Sequence, residues 1–195
     1  MIHLLGIEVA ADLLADLAAQ LAPVFRMACH VRPERLDVAF ARDGMRNQHY
    51  STAILQAMQP IAEPGARLLA VTSVDLYVPV LTFVFGEAQL SGSCAVVSLH
   101  RLREEFYGLP AREELMRERL VKEAVHELGH TFGLRHCDDW RCVMTSSHGV
   151  ERLDVKGAAF CFLCGRVVAG GPHAGVGVGG TTKPEPRMDT DKHGS

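Results

Sequence analysis

Eleven consecutive residues hold most of the chemistry this chain can offer: His126-Glu127-Leu128-Gly129-His130-Thr131-Phe132-Gly133-Leu134-Arg135-His136. Helical residues four apart share one face. His126 and His130 can therefore send their imidazoles to a single zinc ion. Glu127 is rotated about 100° from His126 around a helix. It lies beside the pair, where it reaches a water on the metal rather than the metal itself. An open tetrahedral site needs a third protein ligand. Gly133 can take a positive φ and turn the chain sharply, which swings His136 back towards the pair. With this composition the five fixed positions arise by chance on the order of once in several thousand chains. The plainer reading, an amphipathic helix with incidental histidines, leaves the agreement of helix, stop and third histidine unexplained.

A second constellation follows at once. Cys137 comes directly after His136, then Cys142, and Cys161 and Cys164 form C-x-x-C. Four cysteines in two pairs can close a tetrahedral, all-thiolate zinc site. Two disulfides or unrelated thiols are the alternatives, and they need an oxidising compartment or coincidence. A redox role for Cys161-Cys164 is disfavoured, because no strand-to-helix start precedes them. Cys29 and Cys94 sit in apolar strand contexts and read as small buried residues.

These residues need a folded frame. The chain has 195 residues, 48% hydrophobic and 22% charged. That fits one globular domain with a small appendage and excludes a disordered or fibrous protein. A net charge of −3, one Trp and three Tyr argue against nucleic acid as a partner. No apolar run reaches the length of a membrane span: residues 76–85 are too few and contain Pro79, and residues 167–182 are dominated by glycine. The first positive charge is Arg26, and Glu8, Asp12 and Asp16 break any apolar leader. No secretory signal or pro-segment is therefore read. The expectation is a cytoplasmic monomer with reduced thiols and no membrane partner.

Hydrophobic periodicity predicts a strand over 2–9 and an amphipathic helix over 11–21 that Pro23 ends. A short strand over 27–31 follows, extended by 38–40, and then a turn over 43–47. Ser51 is read as the N-cap of a helix to Met58. Strands are predicted over 68–74, 83–90 and 95–99. A long helix then carries Leu120, Val121, Ala124, Val125, Leu128 and Phe132 on one face and stops at Gly133. A short helix over 150–156 follows, with Ser146 or Ser147 as its cap. The order β-α-β-α-β-β-β-α implies an α/β domain with a mixed sheet. From about residue 168 the Gly-rich composition reads as a disordered, solubilising tail.

The eleven-residue pattern resembles the metzincin zinc peptidases, which set a methionine in a tight turn beneath the metal; Met144 stands where that methionine would be. With Cys137, Cys142, Met144, Cys161 and Cys164 in series, the chain is similar to the archaemetzincin family. Asp75-Leu76-Tyr77-Val78-Pro79, Phe83-Val84-Phe85-Gly86 and Val96-Val97-Ser98-Leu99 resemble that family's central sheet, so the likeness covers residues 67–164. Between Met144 and Cys161 one residue fewer stands than in the family pattern, which shortens a loop.

The resemblance implies a metzincin-like zincin: an α/β fold with a mixed, mostly parallel twisted sheet, a long active-site helix and a small zinc-bound C-terminal subdomain. The peptidase domain would span 1–167, with the sheet and helices in 1–134 and the Met-turn and four-cysteine site in 135–167. Residues 168–195 would be the tail. The resemblance also implies two zinc ions per chain. The catalytic one would sit on His126, His130 and His136, with Glu127 as base, and the structural one on Cys137, Cys142, Cys161 and Cys164. The substrate would be a short peptide laid along an edge strand, with 83–90 as the candidate. Some metzincins carry a Tyr two residues after the turn methionine; Ser146 stands there, which leaves oxyanion stabilisation mainly to the metal. A zinc amidase on a non-peptide substrate and a non-catalytic zinc-binding module are the alternatives. An intact Glu127 argues against the second.

Overall fold

Residues 1–170 are described by a computed structural model. Strand β1 (Ile2–Ile7) leads into helix α1 (Ala11–Phe25) and back to β2 (Cys29–Arg32). Two short strands, β3 (Arg42–Asp43) and β4 (Gln48–Tyr50), precede helix α2 (Ser51–Met58). Then come β5 (Arg67–Thr72), β6 (Leu76–Tyr77), β7 (Gly86–Ala88) and β8 (Cys94–Ser98). The long helix α3 (Glu113–Thr131) and two short ones, α4 (Val150–Val155) and α5 (Phe162–Val168), complete the described chain.

The main sheet has the order β2-β1-β5-β8-β7. Its first four strands are parallel, and β7 runs antiparallel at the edge. It is the mixed sheet that the element order implies, and it is mostly parallel, as the resemblance implies. The near-continuous apolar runs of β5 and β8 follow from burial on both faces. Alternate residues serve the two faces. Leu4, Leu69, Val71 and Val97 pack on one side with residues of α1 and α3, while Leu5, Leu68, Ala70 and Val96 pack on the other with residues of α2. Arg119 of α3 is buried and ties the lower part to this frame: it donates to both Asp154 oxygens at 2.7 Å and to Leu102 O at 2.9 Å, and pairs with Glu104.

Several local expectations are corrected. Helix α1 passes through Pro23 and ends in a left-handed Arg26; a proline in the last turn forgoes only one helical bond. Residues 38–40 do not extend β2. They enter a 3-10 turn, Ala39–Ala41, whose first N–H is held by Asp37 Oδ1 at 2.9 Å. Ser51 does not cap α2: it is the first residue of the helix, Tyr50 holds the cap position without a side-chain cap, and the Ser51 hydroxyl lies 3.0 Å from Tyr77 O and against Glu87. Of the 83–90 run, β7 pairs with β8 and the bonds Ser98 N–H to Phe85 O at 2.7 Å and Gln89 N–H to Cys94 O at 3.0 Å flank it, while Val84 bridges Leu76 instead. The second sheet, β3-β4-β6, and helix α5 are additions to the expected elements. Val168 closes α5 as a buried residue, and residues 171–195, most of the expected tail, lie outside the described residues. No helix among the described residues is long and apolar enough to cross a membrane.

Candidate active site

Helix α3 carries His126 and His130 on the face turned towards β7 and the cleft beside it. The cleft holds about 810 Å³ and is lined by Phe83, Gly86, His126, Glu127, His136 and Ser146, among others. Gly133 has φ +89°. Its N–H bonds His130 O at 2.9 Å and the Leu134 N–H bonds Gly129 O at 3.1 Å, the paired closure of a helix by a left-handed residue. The chain then reverses and returns His136. The ligating atoms of His126, His130 and His136 lie within 4.8 Å of one another.

The tautomers follow from the partners. Nδ1 of His126 is 2.8 Å from Val143 O, and Nδ1 of His130 is 2.7 Å from Leu134 O. A carbonyl can only accept, so each Nδ1 carries the proton and each Nε2 keeps its lone pair for the centre. The two Nε2 atoms are 3.2 Å apart. Two nitrogens at zinc-ligand distance in a tetrahedral arrangement stand about 3.3 Å apart. Burial holds all three imidazoles below the ordinary histidine range, His126 furthest, and the neutral ring is the ligating form. The donor set fits a zinc ion.

Glu127 is buried beside this trio. Burial, with the Glu123 carboxylate adding to it, pushes its carboxyl well above the usual range. The room for it comes from β7. A Cβ on Gly86 would stand 2.6 Å from Glu127 Cγ and 2.7 Å from Val96 O. Along its other side β7 has no partner strand among the described residues. Just after β7, the Ser91 N–H bonds His130 O at 2.9 Å, which docks the edge strand to the end of the histidine helix.

Met144 is fully buried under the trio, in the turn whose Val143 carbonyl orients His126. A Cβ on Gly129 would lie 2.5 Å from Met144 Sδ and 3.2 Å from Phe160 Cε1. Because Met144 has no solvent to swing into, Gly129→Ala is expected to cost about 1–3 kcal/mol through overpacking. Urea denaturation of the zinc-loaded protein reads this directly; an unchanged midpoint would mean that Met144 yields freely.

The four cysteines Cys137, Cys142, Cys161 and Cys164 gather with all sulfurs within 4.8 Å, and none is in a disulfide. Cys137 Sγ and Cys161 Sγ are 3.9 Å apart, close to the roughly 3.8 Å that two thiolates take on a tetrahedral zinc. The Cys161 N–H donates to Cys142 Sγ at 3.3 Å. Burial and mutual repulsion push the Cys137 thiol up to about 11 and that of Cys164 higher. A divalent cation reverses this by stabilising the thiolates. Of the other two cysteines, Cys94 is buried in β8 and Cys29 is half-buried in β2.

Gly86, Gly129 and the Val143 and Leu134 carbonyls shape the site but were not singled out in the sequence. Gly129 gave the one available signal, a helix-weakening residue inside a helical motif.

The sequence pattern of peptidase family M54 matches residues 54–169. The chain is 41% identical over 154 residues to the archaemetzincin of Methanocaldococcus jannaschii, covering 78% of this chain and 83% of that one. The crystal structure of Archaeoglobus fulgidus archaemetzincin complexed with malonate aligns with a TM-score of 0.74 at 38% identity, over 85% of this chain and 98% of that chain. A zinc-dependent peptidase from Methanocorpusculum labreanum aligns at 0.76 with 32% identity, over 86% and 100%.

Proposed function

The chain belongs to peptidase family M54, the archaemetzincins, a family of zinc metallopeptidases, and we propose that it hydrolyses short peptides at the centre formed by His126, His130, His136 and Glu127. The observation that carries this is the convergence of three neutral imidazoles with a buried carboxyl that accepts no hydrogen bond from any described residue. His126, His130 and His136 would hold a zinc ion, which would supply Lewis-acid polarisation of the scissile carbonyl and a more acidic water. Glu127 takes the proton of the attacking water at a carboxylate oxygen and passes it to the leaving amine. The substrate backbone pairs with the free edge of β7, as in strand addition. Cys137, Cys142, Cys161 and Cys164 would hold a second, structural zinc. Metal analysis is expected to find two zinc ions per chain. A chelator should abolish hydrolysis and added zinc should restore it; hydrolysis that survives zinc removal would contradict the reading.

Gly86 sets the place of the base. Gly86→Ala is expected to displace Glu127 and lower kcat/KM by roughly a hundredfold with zinc content unchanged. Full activity in that variant would separate Glu127's position from the reaction.

A further inference from the structure

Glu123 lies one turn before Glu127 on α3 and lines the same cleft, yet the reaction above does not use it. Its side chain is only 5% exposed and that of Lys156 1%. Oε1 accepts from Lys156 Nζ at 3.0 Å, and Lys156 also donates to Thr145 O at 3.2 Å. Oε2 takes no hydrogen bond from any described residue. It is not sealed off either: the described side-chain atoms that are both sealed and unpartnered belong to His3, His49, Arg67 and Ser147. Oε2 is an unpartnered acceptor that keeps some accessible surface, on a residue that lines the cleft.

We propose that Glu123 Oε2 is the floor of a specificity subsite that takes an uncharged side chain bearing a hydrogen-bond donor, such as the amide of glutamine, on the residue whose amine leaves. The proposal rests on the peptidase reading of the same cleft. Glu127 hands its proton to the leaving nitrogen, so that residue lies against Glu127. The next side chain on the same helical face is Glu123, four positions earlier. An apolar side chain there would strip water from Oε2 and give nothing back, which a buried acceptor makes costly. A cation gains little, because the Lys156 ammonium already balances Glu123 and repels a second positive charge. A neutral donor meets both conditions.

Peptide hydroxamates test this, since the hydroxamate anchors on zinc and the neighbouring side chain can be varied alone. Glutamine, leucine and lysine versions would be titrated calorimetrically into the zinc-loaded full chain and into the double variant Glu123→Leu/Lys156→Met, which removes the pair together. Glutamine is expected to bind at least about tenfold tighter than leucine or lysine to the wild type, and leucine to overtake it in the double variant. Leucine or lysine binding the wild type as well as glutamine, or an order that survives the double substitution, would overturn the proposal. The wild-type order decides alone should the double variant not fold. Glutamine selectivity without hydrolysis of any peptide would overturn the peptidase reading and leave the subsite standing; hydrolysis without that selectivity would do the reverse.

Discussion

Cys161→Ser is expected to lose the cysteine-bound zinc and to weaken zinc binding at the histidine centre by about 10–100-fold. The two groups are joined through backbone. Cys137 follows His136 directly, so one peptide bond belongs to both. The Cys137 N–H bonds Met144 O at 3.0 Å, and Thr145 Oγ1 bonds Cys137 O at 3.2 Å. The same turn presents Val143 O to His126. Releasing Cys137 and Cys142 from a shared metal therefore loosens the third histidine and the orienting carbonyl of the first. Competition with a chromophoric chelator reads the affinity of the histidine site, and circular dichroism shows whether the variant is folded. A folded Cys161→Ser protein with unchanged affinity at the histidines would mean that the two sites are independent.

Glu127→Ala should keep zinc and lose about 10²–10⁴-fold in hydrolysis, the usual worth of a positioned proton-transfer group. The carboxyl accepts no hydrogen bond from the described residues, so removing it frees no structural partner. It is also buried with a raised pKa, so the substitution removes a desolvated acid and should not destabilise the fold. Undiminished turnover at matched zinc content would remove Glu127 from the reaction and leave the histidines as a site without a base.

The histidine geometry was legible in the sequence because two of its constraints are local. A spacing of four on a helix and a glycine stop need no knowledge of the rest of the fold. The central sheet was legible for a similar reason, since β5 and β8 are uninterrupted apolar runs. The strands of the second sheet hold two or three residues each, too few for a period to register. Helix α5 is likewise short, and a glycine lies inside it. Ser51 misled because its hydroxyl answers to Tyr77 and Glu87, far along the chain. Gly86 and Gly129 matter through contacts with Glu127 and Met144 that exist only after folding. The Glu123–Lys156 pair joins residues 33 positions apart, beyond any local pattern.

The reaction assigned to this cleft is the cutting of peptide bonds with zinc and Glu127. Cleavage of a mixed peptide library, read by mass spectrometry, tests it most directly when wild type and Glu127→Ala are compared at matched zinc content. New peptide fragments are expected from the wild type and almost none from the variant. An intact library after incubation with wild-type protein carrying two zinc ions would contradict that assignment, as would equal cleavage by both proteins.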